Sequence, residues 1–487
     1  MTPYQRDILV IFSVSLSTFL GMVAMSGINI SLPVIVEEFN TAISHASWII
    51  NGYLLVMAGF IVIIGRLADR RGLKRTFLEG ILIFTIGSLL CFISWDLNSL
   101  IGSRIVQAIG ASMFIASGPA LIATQVSVRN QGKGQSINTA FSPIGAAVGI
   151  GIAGLVTEYV GWRYIFLLSI PLGIVIYLIG RTILTEVRLN TKVSPFDIRG
   201  SIMLFLTLVM ILAGCTLIYI PSSGTTPIFL FVCSVVTGIL FIYHQNKCTE
   251  SVLNVSLFRN RYFSVAMISS FFIYSLYAGL NYFIPLILVF IYHMSSTDAG
   301  LYLMAVGLGS TLFALPAGKI ADQYGPRVIC IGACCIILPV LYLFTIIPHN
   351  ITAFILLFFF FRSGFMLYAS PSTKQILDQC PYDQKGSGSG IMQTTRYSAY
   401  TIGIAILCIV FETVVYNAGV VNDGTAIVNR LTPVIERIGY LSLFYSGIVI
   451  ALLALIFCIF TRNQIIQSGK DEINVGDHIG SNVDTVY

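Results

Sequence analysis

The chain has 487 residues, 56% of them hydrophobic and only 10% charged, with a net charge of +6. Soluble domains carry roughly 25% charged residues, so this composition excludes a chain built for water alone. The basic residues are scattered through short segments between apolar runs, which argues against a nucleic-acid surface.

Taken in chain order, the apolar runs are 8–31, 45–65, 77–95, 99–125, 135–158, 162–183, 199–220, 227–245, 262–291, 298–318, 327–348, 351–373, 387–416 and 438–461. Each is about twenty residues or longer, enough for roughly 30 Å of hydrocarbon at about 1.5 Å per residue. A backbone in lipid must satisfy its own polar groups, so continuous runs imply helices. The expected fold is an all-α polytopic membrane protein with fourteen transmembrane helices. The first run is too long, and too poorly flanked, for a cleaved signal peptide.

With the N-terminus placed in the cytoplasm, 21 of the 27 Lys and Arg fall on the cytoplasmic side, including all eight lysines. Arg163, Arg430 and Arg437 fall outside; Arg104, Arg362 and Arg396 fall within runs. The positive-inside rule then expects both termini in the cytoplasm, and Trp48, Trp95 and Trp162 at outer helix ends as an aromatic belt. Cys330, Cys334 and Cys335 have no neighbouring histidine or carboxylate to complete a metal site, so they are expected to be packing residues.

The second loop reads GRLADRRGLKR at 65–75 and has an echo in GKIADQYGPR at 318–327. Gly65, Arg66, Asp69, Gly72 and Lys74 correspond to Gly318, Lys319, Asp322, Gly325 and Arg327 at a constant offset of 253 (318 minus 65). Asn29 and Pro33 recur as Asn281 and Pro285 at 252 (281 minus 29). The chain therefore reads as two six-helix bundles, 1–190 and 255–462, forming a parallel pseudo-repeat. Two inserted helices occupy 191–254, and 463–487 is a polar tail expected to be disordered in the cytoplasm. In such repeats the substrate site lies between the halves near the midplane. The glycines of the loop are expected to let helix ends approach and the chain turn tightly. Asp69, set among Arg66, Arg70, Lys74 and Arg75, is expected to bond arginines or a helix N-terminus in one conformation only, and so to act as a switch. A topogenic basic loop with an incidental acid is the plainer alternative.

This loop resembles the signature of the major facilitator superfamily, and fourteen runs are similar to its drug:proton antiporter branch. RIVQAIG at 104–110 is similar to the branch's helix 4 motif, with Ala108 replacing a glycine. GWRYIFLLSIPLG at 161–173 resembles the start of helix 6. The resemblance implies alternating-access transport of small compounds driven by protons. Two departures stand out. Ala24 occupies a position where the branch commonly has an Asp, and Ile150 and Ala153 degrade the helix 5 antiporter motif, leaving Gly145, Gly149, Gly151 and Gly154 as hinge or packing residues.

Arg362 and Arg396 lie deep in their runs, where a charge costs roughly 2.5–3.5 kcal/mol on insertion scales. They are expected either to meet an anionic substrate group or to serve as packing struts. Arg104 and Glu158, on the outer half of adjacent runs, are placed to pair and are the coupling candidates, with a solvated loop anchor as the plainer reading of Glu158. Tyr274, Tyr277 and Asn281 share a helical face by their spacing of 3 and 4 and are candidate cavity residues, as are Asn29, Gln107, Met366, Gln393 and Tyr397. With two arginines and no central acid, the cavity is expected to prefer neutral or anionic amphiphiles to cations.

An enzyme is not expected. NQGKGQS at 130–136 lacks the spacing of a phosphate loop, and GSGSG at 386–390 follows no strand. The leading expectation is a plasma-membrane efflux transporter exporting small amphipathic compounds by proton antiport. It would need no cofactor beyond the proton gradient, no nucleic acid, and no partner but lipid bilayer and substrate, and would be monomeric. A metabolite uniporter or importer of the same fold and a transport-inactive sensor or scaffold are the alternatives.

Overall fold

The structure is a computed structural model and describes residues 3–187, 197–217, 224–247, 255–346, 350–381, 385–417 and 433–462. The helices are α1 (Pro3–Glu38), α2 (Ile43–Ala46), α3 (Trp48–Arg71), α4 (Leu73–Phe92), α5 (Leu97–Gln125), α6 (Val128–Tyr159), α7 (Tyr164–Ile183), α8 (Ile198–Leu217) and α9 (Thr226–Lys247). They continue as α10 (Arg261–Leu286), α11 (Ser296–Thr311), α12 (Ala314–Tyr324), α13 (Pro326–Ile346), α14 (Ile351–Asp378), α15 (Lys385–Asn417) and α16 (Pro433–Phe460). Among the described residues there is no strand. Among the described residues thirteen stretches are long and apolar enough to cross a membrane, and α8 adds a shorter apolar run over Ile198–Ile211, so each of the fourteen expected runs has a helical counterpart, with 298–318 divided between α11 and α12. The expected tail and the two linkers flanking α8 and α9 lie mainly outside the described residues.

Local chemistry sets the helix starts. Asp96 accepts the N–H of Ser99 at 2.8 Å while the Ser99 hydroxyl accepts the N–H of Asp96, a reciprocal cap at the start of α5. Asn260, Ser295 and Asn350 cap α10, α11 and α14 one way, their side chains accepting the N–H of Tyr262, Asp298 and Ala353. The repeated loops break at Gly72 (φ 116°) and Gly325 (φ 83°), a conformation that favours glycine.

In the first half α1 packs on α6, and α4 on α5 and α7. In the second, α10 packs on α15 and α16, and α13 on α14 and α16. The seam between halves is formed by α6 against α11 and α3 against α15. The inserted α8 and α9 pair with each other, and α8 lies across the α3–α15 seam, where Phe205 meets Phe60 edge-on at 5.5 Å.

Hydrogen bonds define the two ends of the bundle. At one end, Arg6 donates to Thr185 and Lys74 Nζ to Arg181 O, while Gln375 donates to Thr461 in the second half; this is the basic end. At the other, Trp162 Nε1 and Arg163 both donate to Glu38 at 2.6 Å. Trp95 is exposed there, but Trp162 is buried, so it serves as an anchor for Glu38 and not as the belt residue expected from its position.

Candidate functional site

The second half brings together most of the expected cavity residues. On α10, Tyr274 and Tyr277 face one wall, with Tyr277 stacked on Phe365 of α14 at 3.7 Å and Tyr274 edge-on to the same ring at 5.2 Å. Tyr400 of α15 closes the group, 5.7 Å from Tyr274 and 6.1 Å from Tyr397. An arginine stands at each end of this wall. Arg362, 2% exposed, lies over Tyr277 at 5.6 Å and donates to Asn281 Oδ1 at 3.0 Å. Arg396 lies over Tyr274 at 4.8 Å and donates to Gln393 and to the Thr373 hydroxyl. Asn281 in turn donates to Tyr277 O at 2.7 Å, one helical turn back.

Among the described residues no carboxylate pairs with either arginine, and the Nε–H of each is buried without an acceptor. A buried donor left unmade is costly, and Arg104 Nη2 in the first half shares that condition. Met366 is buried in the apolar cluster behind this wall. Sequence reasoning missed Phe365, Thr373 and Tyr400. The last repeats on α15 the three-residue spacing that singled out Tyr274 and Tyr277, and that spacing was the available signal.

The first half holds a different cluster. Arg104, 0% exposed, lies over Tyr53 at 4.4 Å and donates from Nε to Ile49 O and from Nη1 to Ala24 O, both at 3.3 Å. It also donates to Gln107 Oε1, whose amide nitrogen donates to the Ser88 hydroxyl at 2.7 Å. The expected Arg104–Glu158 pair does not form. Arg104 points into the core between α1, α3 and α7, whereas Glu158 faces the seam and accepts the N–H of Thr297 on α11 at 2.8 Å. Asn29, the repeat partner of Asn281, is half-buried, and its Oδ1 has no donor among the described residues.

Around the signature loop, the side chains of Arg66, Asp69, Arg70, Lys319 and Asp322 lie outside those described. The loop's partner in the structure is Glu186, unremarked in the sequence. Its carboxylate accepts the N–H groups of Lys74 at 3.2 Å and Arg75 at 3.1 Å, capping α4. Arg75 also pairs with Glu79 at 2.7 Å on the exposed face. Lys74 caps the end of α7 through Arg181 O, and its repeat equivalent Arg327 caps the end of α16 through Ile459 O at 2.5 Å. The expected close approach at Gly65 is not found: a Cβ there would meet nothing within 4 Å, and at Gly318 only Ser370 Oγ at 3.7 Å.

The α6 glycines divide between two neighbours. Gly145 and Gly149 abut Phe19, Val23 and Ser26 of α1, while Gly151 and Gly154 abut Met304, Gly300 and Ser296 of α11 across the seam. Helices touch backbone to backbone there because small residues permit it. Among the described residues no three His, Cys, Asp or Glu side chains are grouped to hold a metal, and the described cysteines are free thiols.

Residues 14–404 match the family model described as the Major Facilitator Superfamily. The riboflavin transporter RibZ of Clostridioides difficile (strain 630) is 28% identical over 415 residues, covering 84% of this chain and 89% of that protein. The multidrug resistance protein Stp of Mycobacterium tuberculosis is 25% identical over 412 residues, covering 83% of this chain and 75% of its own length. Among solved structures, a bacterial homolog of the human lysosomal transporter Spinster, inward-facing and unoccupied, superposes with a TM-score of 0.68 at 13% identity over 93% of this chain and 96% of that one. Two helical halves in contact across α6–α11 and α3–α15 and a family match through most of the chain lead to one conclusion: this protein is a multi-pass membrane transporter belonging to the Major Facilitator Superfamily.

Proposed function

We propose that the chain exports small amphipathic compounds across the plasma membrane by alternating access, driven by proton antiport. Its substrates are neutral or anionic compounds carrying an aromatic ring. The observation that carries this reading is the aromatic wall of Tyr274, Tyr277, Phe365 and Tyr400 with Arg362 and Arg396 at its ends, each holding a buried Nε–H without an acceptor. A flat ring slides against such a wall, and an oxygen on its edge supplies the missing acceptors. A lipophilic cation finds two like charges and, among the described residues, no carboxylate paired with them. The positive-inside distribution supports an orientation with the basic end and both termini in the cytoplasm. No bound cofactor enters the scheme, and the transporter acts as a monomer in the bilayer.

The test is accumulation of fluorescent anionic, neutral and cationic compounds in cells expressing the protein, with and without a protonophore. Reduced accumulation of neutral and anionic compounds that the protonophore abolishes is expected. Arg362→Ala and Arg396→Ala are each expected to weaken apparent affinity about tenfold or more, the worth of a charge-assisted hydrogen bond. Equal export of tetraphenylphosphonium by wild type and both variants would overturn the charge preference.

A second reading, carriage of a metabolite without drug export, is favoured by the riboflavin transporter among the relatives and by the fit of a planar ring to the wall. Uptake of riboflavin that survives the protonophore, with no export of any compound in the panel, is its signature.

A further inference from the structure

Each half sends one glutamate across the seam at the end opposite the basic loops. Glu158, in the last turn of α6, accepts the N–H of Thr297 at 2.8 Å. Glu412, near the end of α15, accepts the N–H of Ser44 at 3.0 Å. The contacts are copies of one another. Thr297 follows Ser44 by 253 positions (297 minus 44), and Glu412 follows Glu158 by 254 (412 minus 158). The first is the offset relating the signature loops and the second is within one of it, so the repeat places a carboxylate on the fifth helix of each half against the start of the second helix of the other. Beside the Glu412 contact, the Tyr282 hydroxyl of α10 donates to Ile43 O at 2.6 Å, a third bond between the halves.

The donors need these acceptors. The first N–H groups of a helix have no partner within it. Ala42, which precedes α2, offers no side-chain cap, and Ser295, which precedes α11, accepts from Asp298. Ser44 and Thr297 are each the second residue of their helix, where a carboxylate makes a charge-assisted bond; at α11 the helix dipole adds to it, while α2 is a four-residue turn. Glu158 is exposed, whereas Glu412 is 8% exposed. Among the described residues neither is paired with Lys, Arg or His. The titratable groups set against Glu412 are Tyr282 from α10 and Cys408 one turn back on its own helix; Glu158 faces the hydroxyl residues Ser295 and Thr297.

We propose that Glu158 and Glu412 are a paired latch of alternating access: the halves part at this end only when both carboxylates release their partners, and protons from the aqueous phase on that face release them. A proton adds to a carboxylate oxygen, the acceptor loses its charge, and the bond to the N–H weakens; no other bond is made or broken. The proposal rests on alternating access and not on which compound or ion is carried.

The test is hydrogen–deuterium exchange of the full-length protein in lipid nanodiscs, without substrate or gradient, corrected for the intrinsic pH dependence of exchange. Glu158→Gln and Glu412→Gln imitate the protonated acid. Each single variant is expected to raise exchange about fivefold, the difference between a charge-assisted and a neutral bond, in both 43–51 and 296–303. The segment whose own glutamate is intact therefore opens too, while 73–80 at the basic end does not change. Acidification is expected to do the same to the wild type and to leave the double variant unaffected. An increase confined to the mutated residue's own partner would mean two independent helix caps and overturns the latch, as does no increase at all. An acid response that persists in the double variant overturns release by protonation. Glu158→Asp and Glu412→Asp keep the charge but fall short of the N–H, and are expected to open both segments like the Gln variants. They serve should a Gln variant not fold. Because exchange is read without transport, failure here leaves the export reading standing, and failure of export leaves the latch.

Discussion

Arg104 donates to the main-chain oxygen of Ala24 at 3.3 Å, so a fully buried guanidinium is held by neutral acceptors alone among the described residues. A carboxylate would be the usual partner for such a charge. Here the side-chain acceptor is Gln107, which Ser88 supports from behind.

That arrangement predicts strong coupling between Arg104 and Gln107. Arg104→Met alone strands the Gln107 oxygen in the core, whereas Arg104→Met with Gln107→Leu removes both ends of the bond. The double variant is expected to be more stable than the sum of the single losses by about 1–3 kcal/mol. Thermal unfolding of the four proteins in one detergent measures the cycle, and strict additivity would refute the coupling.

The α6 glycines yield a paired prediction. A Cβ on Gly154 would lie 2.5 Å from Ser296 O and 3.0 Å from Gly300 Cα, and helix backbone cannot yield as a side-chain tip does. Gly154→Ala must push α6 from α11 at the seam and is expected to cut transport about tenfold, as overpacking costs typically 1–3 kcal/mol. Gly65→Ala, with nothing within 4 Å, is expected to leave transport unchanged, although Gly65 is part of the signature and Gly154 is not. Initial rates at matched membrane abundance decide it, and the reverse order of sensitivity would count against close packing.

The fold was legible because lipid leaves a spanning chain few options: length, apolarity and the 253-residue echo sufficed for fourteen helices and two halves. The aromatic wall was half legible, since Tyr274, Tyr277 and Asn281 announce a face by spacing, but Phe365 comes from another helix and carries no local mark. Partners were least legible. Position alone pairs Glu158 with Arg104, since both sit toward the same end of adjacent helices; which way each side chain points depends on helix rotation, and that follows from the glycine contacts with α1 and α11. Glu186 was invisible for a related reason: its role as a cap exists only once the end of α7 is brought beside the start of α4.

Tyr277 meets the wall through its ring, stacked on Phe365 with 12° between planes. Tyr277→Phe is therefore expected to change apparent substrate affinity less than about twofold. Tyr277→Ala, losing a pair worth about 0.5–1.5 kcal/mol beyond burial and opening a gap beneath Arg362, is expected to cost about tenfold. Equilibrium binding of a transported fluorescent compound separates the two. Equal losses in both variants would show that the hydroxyl recognises substrate.

The inserted helices hang on Asp197, whose buried carboxylate accepts from Gly200 N at 2.8 Å, His244 Nε2 at 2.7 Å and Gln245 Nε2 at 2.6 Å, tying the start of α8 to the end of α9. Burial alone would raise its pKa, but these donors outweigh burial and hold it below the ordinary 3.8. A carboxyl with a depressed folded pKa stabilises the fold above its unfolded value and loses that contribution as pH falls through the folded value. The tie is therefore fully present at neutral pH and fails only in strong acid. Asp197→Asn replaces one acceptor oxygen with a donor facing donors, and is expected to destabilise the α8–α9 pair by about 1–3 kcal/mol at neutral pH. Exchange protection over 198–217 and 226–247 should fall at neutral pH in the variant while α10–α16 keep theirs. Unchanged protection would mean that contacts of α8 with α3 and α15, such as Phe205 on Phe60, hold the insert without the polar tie.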